Sequence, residues 1–487
     1  MENLQSLLTK MGTGHMSNTA YDTAWIARLE DMSNLSNAAL QWLTRNQLPD
    51  GSWGAKDILY YHDRIISTLS AMIALTYRGR RAEDKIQIEK GLIALEKVTS
   101  QATHGLAADL NGATVGFEMI VPTLVAEAER LGIIKQQGDR ILGRLSKMRQ
   151  MKIAKLSGVK INRYLAAVLS SEMAGTDSLS FLDIENLQEP NGSVGYSPAS
   201  TAYFVLKIRP GDERALNYLR SVVVNGGAPF VAPFDIFERC WVLWNFSLLE
   251  NLGSEIIELI HPHLDFLEKR WIPGKGISFT TDCTLLDSDD SSVTHHILTR
   301  FGRRPDLDAL FSYEEENHFR CYHYEINPSI GANIHILGAL RLAGYEKDHP
   351  SVKKILSFLY KTRYKDAYWF DKWHASPYYI TSHAIIECME YDDKLCKNSV
   401  DWILDTQKPD GSWGFYGAST AEETAFCLQA LKIWQRNSDK SAADSIRTAS
   451  SWLNDHCEPP YPWMWIGKTL YYPELLIQSI ILTALAL

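Results

Sequence analysis

The chain has 487 residues, 45% of them hydrophobic and 22% charged, enough apolar material for two or three packed units. A formal net charge of −9 argues against a nucleic-acid partner, since a phosphate backbone calls for clustered Lys and Arg. Seven cysteines, odd in number and without CxxC spacing, suggest neither a disulfide framework nor a zinc site and fit a reducing cytoplasm.

The N-terminal MENLQSLLTK has no basic stretch leading into an apolar core, so no signal peptide is expected. A helical pattern at Gln41–Leu43 leads into Gln47 to Gly54 (QLPDGSWG). That motif returns weakly from Gln188 to Gly195 (QEPNGSVG) and almost unchanged from Gln407 to Gly414 (QKPDGSWG). Amphipathic stretches follow the later copies at 201–208 and 424–434. Pro-Asp-Gly ends a helix in a turn, and the Gln and Trp side chains can lock that turn to its neighbours. Helix–turn–helix units repeated along a chain mean stacked helix pairs. These copies are too few and too far apart for an open solenoid, so closure into barrels is expected. Helical periodicity continues at 256–267, 352–360 and 475–487, and alternating strand patterns are scarce. The last stretch, broken by Gln478 and Ser479, falls short of the ~18–20 apolar residues that span a bilayer. The fold class is therefore all-α, and no membrane insertion is expected. Aromatics are 11% of the chain, which suits either a lined cavity or bulky core filling.

Between 285 and 293 runs LLDSDDSSV, three carboxylates within four residues ahead of an apolar helix pattern. One reading is helix capping, because Asp is favoured at an N-cap and the helix dipole stabilises its charge. The other is acid catalysis: clustered carboxyls in a dry cavity cannot all ionise, so one keeps a proton to donate. Magnesium binding of the DDxxD type is disfavoured. Asp289-Asp290 is followed by Ser-Ser-Val and Asp392-Asp393 by Lys-Leu-Cys, so the distal acid is missing from both.

The DSDD run resembles the DxDD motif of class II terpene cyclases, and the repeats resemble their QW motifs. Further segments match bacterial and plant class II diterpene cyclases in order: TAYDTAW at 19–25, VGFEMI at 115–120 and NGSVGYSP at 191–198. FDIFER at 234–239, NPSIGAN at 327–333, DKWH at 371–374 and CEPPY at 457–461 continue the series. The resemblance covers the whole chain and is strongest to bacterial enzymes making halimadienyl (tuberculosinyl) or kolavenyl diphosphate.

That resemblance implies two α-barrel domains, β and γ, with γ inserted: β as 1–30 and 254–487, γ as 31–253. It implies Asp289 as proton donor, tuned by Asp287 and Asp290, with Asn333 hydrogen-bonded to it and Ser329 one turn earlier on the same helix face. The substrate would be a prenyl diphosphate, geranylgeranyl diphosphate first, with its diphosphate retained. Lys372 and one lysine of Lys152, Lys155 and Lys160, of which Lys160 is preferred, would hold the diphosphate. Glu118 would help hold Mg²⁺. Candidates for the aromatic lining are Trp369, Trp373, Tyr378, Trp463 and Trp465. Ser171 and Phe230 stand near the His/Asn pair that holds a water base in plant copalyl enzymes. Their loss favours a rearranged clerodane or halimadane skeleton. His374 and Tyr378 are candidate terminating bases. A class I synthase or a phosphatase would consume the product. Two alternatives stay open: a farnesyl diphosphate cyclase making drimenyl diphosphate, and a zinc subunit of the protein prenyltransferase type.

Overall fold

In a computed structural model, the structure describes residues 2–30, 32–79, 81–101, 114–135, 137–143, 145–155, 158–176, 178–325, 327–436 and 441–487. Among these, helices dominate and pack as two barrels. In the first, Ala20–Ala27, Tyr61–Arg78, Phe117–Arg130, the 3₁₀ segment Ala166–Ala174 and Pro198–Lys207 contact one another in a closed ring. Ser33–Arg45, Ala82–Gln101 and Glu213–Val222 lie outside that ring. In the second, Asp235–Ser247, Ser288–Arg300, Ile330–Leu342, Pro377–Cys388, Ala421–Arg436 and Glu474–Ala486 close the inner ring. Glu2–Lys10 packs on its outside, against Ser254–Arg270 and Glu474–Ala486. Among the described residues no helix is long and apolar enough to cross a membrane.

The division between inner and outer helices follows from residue pattern. Ile330–Leu342 (IGANIHILGALRL) is mostly apolar or small, without a solvent stripe, and is buried from Ile330 to Leu340. Pro350–Thr362 carries its apolar residues on one stripe, burying Val352, Ile355, Leu356 and Leu359 while Lys353 faces solvent. Small residues let the inner helices approach closely. A Cβ at Gly338 would strike the carboxylate of Glu387 on the next inner helix.

The repeats fix inner to outer helices by one shared set of bonds. Gly51, Gly192 and Gly411 adopt φ of 91°, 89° and 92°, and a Cβ at each would strike the backbone of the following outer helix. The Gln47 amide donates to the carbonyls of Gly51 and Gln87, and Gln407 likewise to Gly411 and Ser445. The indoles of Trp53 and Trp413 donate back to Leu43 and Ile403, each at 2.8 Å. Trp369 makes the same bond to Leu359 at 2.9 Å and its backbone N–H meets Thr381, as Trp413 meets Thr424. It is thus a further repeat hidden by a diverged sequence.

The ring contacts put the barrel seams elsewhere than at 30/31 and 253/254. Helix Ala20–Ala27 belongs to the first ring and Asp235–Ser247 to the second, so the chain crosses between barrels within 11–19 and 223–234. At that crossing, Asn18–Thr19 pairs antiparallel with Ala228–Pro229. A hairpin, Trp465–Ile466 with Leu470–Tyr471, projects from the second barrel into the first. Its buried Lys468 donates to Glu172 at 2.6 Å and Ser197 at 2.8 Å, and Gly467 accepts from the Val115 N–H at 2.8 Å. The Leu470 N–H reaches Asp63 at 3.0 Å.

Candidate active site

The acid run opens the inner helix Ser288–Arg300, and the two sequence readings divide between its residues. Asp287 is the N-cap, accepting the Asp290 N–H at 2.7 Å. A cap of this kind contributes ~1 kcal/mol, so capping accounts for Asp287. Asp289 has no part in it. Its Oδ1 lies 2.6 Å from Nδ1 of His335, and it stands on the wall of an inner chamber. Asp290 accepts from the Cys240 thiol at 3.4 Å. All three carboxyls are buried. Burial, reinforced by the charge of Asp290, raises Asp287 well above the usual carboxylate range. Burial and the charge of Asp289 push Asp290 up to about 7. The turn therefore resists full ionisation at neutral pH.

The partner of Asp289 differs from expectation. Asn333 accepts from the Phe319 N–H and donates to the carbonyls of Phe319 and Ser329, each at 2.8 Å, and so holds the 319 loop. Ser329 caps its helix and donates to Asp371. The residue that meets the acid is His335, two positions beyond Asn333 and so on another side of that helix. Its Nε2 lies 2.9 Å from Nδ1 of His383, which stacks on Trp244 at 4.2 Å. Burial, with His335 and His374 adding to it, holds His383 well below its ordinary range and therefore neutral. The two ring nitrogens of His335 thus bridge the Asp289 carboxyl and the ring of the neutral His383.

The inner chamber, about 70 Å³, is lined by the three acids and by Phe230, Phe237, Trp241, Phe279, Trp465 and Tyr471 among others. It adjoins a vestibule of about 610 Å³, and Val115, Leu169, Tyr322 and Trp373 line both. Of the expected aromatics, Trp373 and Trp465 lie on the cavity wall. Trp369 is locked into the repeat bond described above. Tyr378 stacks on Trp402 at 4.8 Å behind the wall, and its neighbour Tyr379 faces the chamber instead. Trp463 packs on Tyr472 away from the chamber. His374 is buried against Glu422, Ser171 is buried as well, and neither lines either space.

Lysines and carboxylates from both barrels face the vestibule. Lys372 and Glu325 form an ion pair on the second-barrel side, Lys152 and Glu118 on the first. Burial holds the Lys372 ammonium down at about 8. Lys160 is exposed and lies outside the lining, so Lys152 takes the place expected for it. The side chain of Lys155 lies outside the described residues. Among the described residues, no three His, Cys, Asp or Glu side chains are grouped to hold a metal on their own. Oxygen-only carboxylates beside lysines do fit Mg²⁺, which is held by one or two carboxylates together with substrate phosphates. Glu118 and Glu325 are the residues that would hold it.

Comparison with known proteins agrees with this architecture. Residues 326–431 match the family model of the squalene-hopene cyclase C-terminal domain. The chain is 48% identical over 495 residues to a type B diterpene cyclase of Mycobacterium tuberculosis, covering 100% of this chain and 99% of the relative. It is 29% identical over 503 residues to an ent-copalyl diphosphate synthase of a Streptomyces species, covering 97% and 92%. The solved ent-copalyl diphosphate synthase of Streptomyces platensis superposes with a TM-score of 0.79 at 26% identity, over 100% of this chain and 98% of that one. The chain belongs to the class II diterpene cyclases.

Proposed function

We propose that the enzyme cyclises geranylgeranyl diphosphate by protonating its terminal alkene from Asp289, with the diphosphate retained. The observation that carries this reading is the position of Asp289: on the wall of an aromatic chamber, 2.6 Å from His335, at the inner end of a cavity whose outer end presents lysines. Alkene protonation needs a strong acid kept dry. His335, with Nδ1 2.6 Å from Oδ1, fixes the Asp289 carboxyl on the chamber wall. The raised Asp287 and Asp290 limit the negative charge nearby.

As the proton leaves Asp289 for the alkene, ring closure builds cationic carbon in the chamber. The faces of Trp241, Trp465, Phe230 and Phe237 stabilise that charge, each by ~0.5–2 kcal/mol. Lys372 and Lys152 anchor the diphosphate in the vestibule. Mg²⁺, when bound, adds neutralising charge there. The apolar Phe230 on the chamber wall offers no hydrogen bond to a water base. This favours a cation that survives hydride and methyl shifts, and hence a rearranged clerodane or halimadane diphosphate, kolavenyl or tuberculosinyl in type. Such a product still carries its leaving group, so an ionising synthase or a phosphatase must follow. The test is incubation with geranylgeranyl and farnesyl diphosphates in parallel, extracting before and after phosphatase. A bicyclic C20 alcohol released only by phosphatase supports the reading, whereas a hydrocarbon formed without it, or turnover of the C15 substrate alone, overturns it.

A further inference from the structure

Two of the vestibule cations are already paired with carboxylates before any substrate arrives. Lys372 is paired with Glu325 and also donates to the Asn327 carbonyl at 3.0 Å, and Lys152 is paired with Glu118. Glu325 is not a loose surface acid. Its side chain is 6% exposed, and its second oxygen accepts the Cys321 N–H at 2.6 Å, which fixes the carboxylate where it stands. A diphosphate that simply took over both lysines would leave two buried carboxylates unpaired against its own negative charge. An unpaired buried charge is strongly unfavourable. A divalent cation removes that difficulty, because it takes the carboxylates while the lysines turn to phosphate oxygens. Since one Glu–Lys pair comes from each barrel, the same exchange would tie the two barrels together across the cavity mouth.

We propose that Glu325 is a placeholder and second magnesium carboxylate: with Glu118 it holds the vestibule lysines while the site is empty and passes to the metal when a magnesium–diphosphate unit binds. The proposal rests on the reading of Lys372 as a diphosphate ligand. Magnesium and diphosphate then bind with positive coupling, and because Glu325 opposes bare diphosphate, removing its charge has opposite effects with and without metal.

The experiment is isothermal titration of the full chain with inorganic pyrophosphate, in EDTA and in excess Mg²⁺, for wild type, Glu325→Gln and Lys372→Met. In wild type, Mg²⁺ should tighten pyrophosphate binding by roughly 10–100-fold, within the usual range of coupling between sites. Glu325→Gln keeps an oxygen for the Cys321 N–H, so it should fold as wild type, checked by its melting temperature. It should bind pyrophosphate in EDTA about 3–10-fold more tightly than wild type and show a magnesium enhancement below about threefold, as a lost coupling requires. Unchanged enhancement, or weaker binding in EDTA, overturns the proposal. Lys372→Met should lose affinity in both media. If it binds as wild type does, the diphosphate reading of Lys372 fails and takes this inference with it, whatever Glu325→Gln shows.

Discussion

The two ends of the cavity differ in how they are assembled and in how they handle charge. At the inner end, three carboxyls come from four consecutive residues on one helix start, and burial favours the protonated forms of Asp287 and Asp290. At the outer end, Glu118, Lys152, Glu325 and Lys372 come from four distant segments of two barrels, and opposite charges meet in pairs. The inner end must hold a proton while excluding water, which a single rigid turn does well. The outer end must accept and release a polyanion, which suits side chains that can change partners. Substitutions at the inner end should therefore act on the chemical step, and those at the outer end on binding.

The largest effect is expected for Asp289→Asn, which should lower kcat by at least ~10³-fold with KM little changed, because the donor itself is gone. His335→Phe should follow, lowering kcat by roughly 10²-fold, again without a matching rise in KM. Equal losses in kcat and affinity for either variant would break the proposed division between the ends. At the outer end, Lys372→Met should lower kcat/KM by about 10–100-fold, mainly through KM, as expected for a lost charge-assisted contact. Lys160→Ala, exposed and away from the lining, should change neither constant by more than about twofold, by the usual size of surface effects.

The smallest effect concerns stability. Asp290 has a folded-state value of about 7, raised from 3.8, so between those pH values the folded protein binds more protons than the unfolded chain. Its contribution is present in full below the lower value and lost as pH rises through the upper one. Asp290→Asn removes that dependence. Between pH 5 and pH 8 the variant's melting temperature should fall by less than that of wild type, by roughly 2–5 °C, read by calorimetry. A parallel fall would mean that Asp290 is ionised throughout.

Much of this was legible in the sequence, and what was not shares a physical cause. The acid run and the repeats are contiguous, so their chemistry can be read without knowing how distant segments meet. The bonds of Gln47, Trp53, Gln407 and Trp413 follow the repeat, but Trp369 fills the same fold role in another sequence, so its segment reads as cavity wall. Helix phase accounts for two further differences. Neighbouring positions on a helix point about 100° apart, so Asn333 and His335, or Tyr378 and Tyr379, face different surroundings although the segment is the same. Two buried histidines on inner helices, His335 and His383, are the available signal, since a polar ring in such a place needs a partner. The Glu325–Lys372 pair had no comparable signal, because a Lys and a Glu 47 positions apart are unremarkable until the fold joins them.

The central claim, that the reaction begins with a proton from the protein, is tested most directly by running the wild-type enzyme on geranylgeranyl diphosphate in D₂O. The account predicts a bicyclic product with its diphosphate intact and one deuterium at the carbon that was the protonated alkene terminus. A cyclised product free of solvent deuterium, or one that has lost its diphosphate, would contradict it.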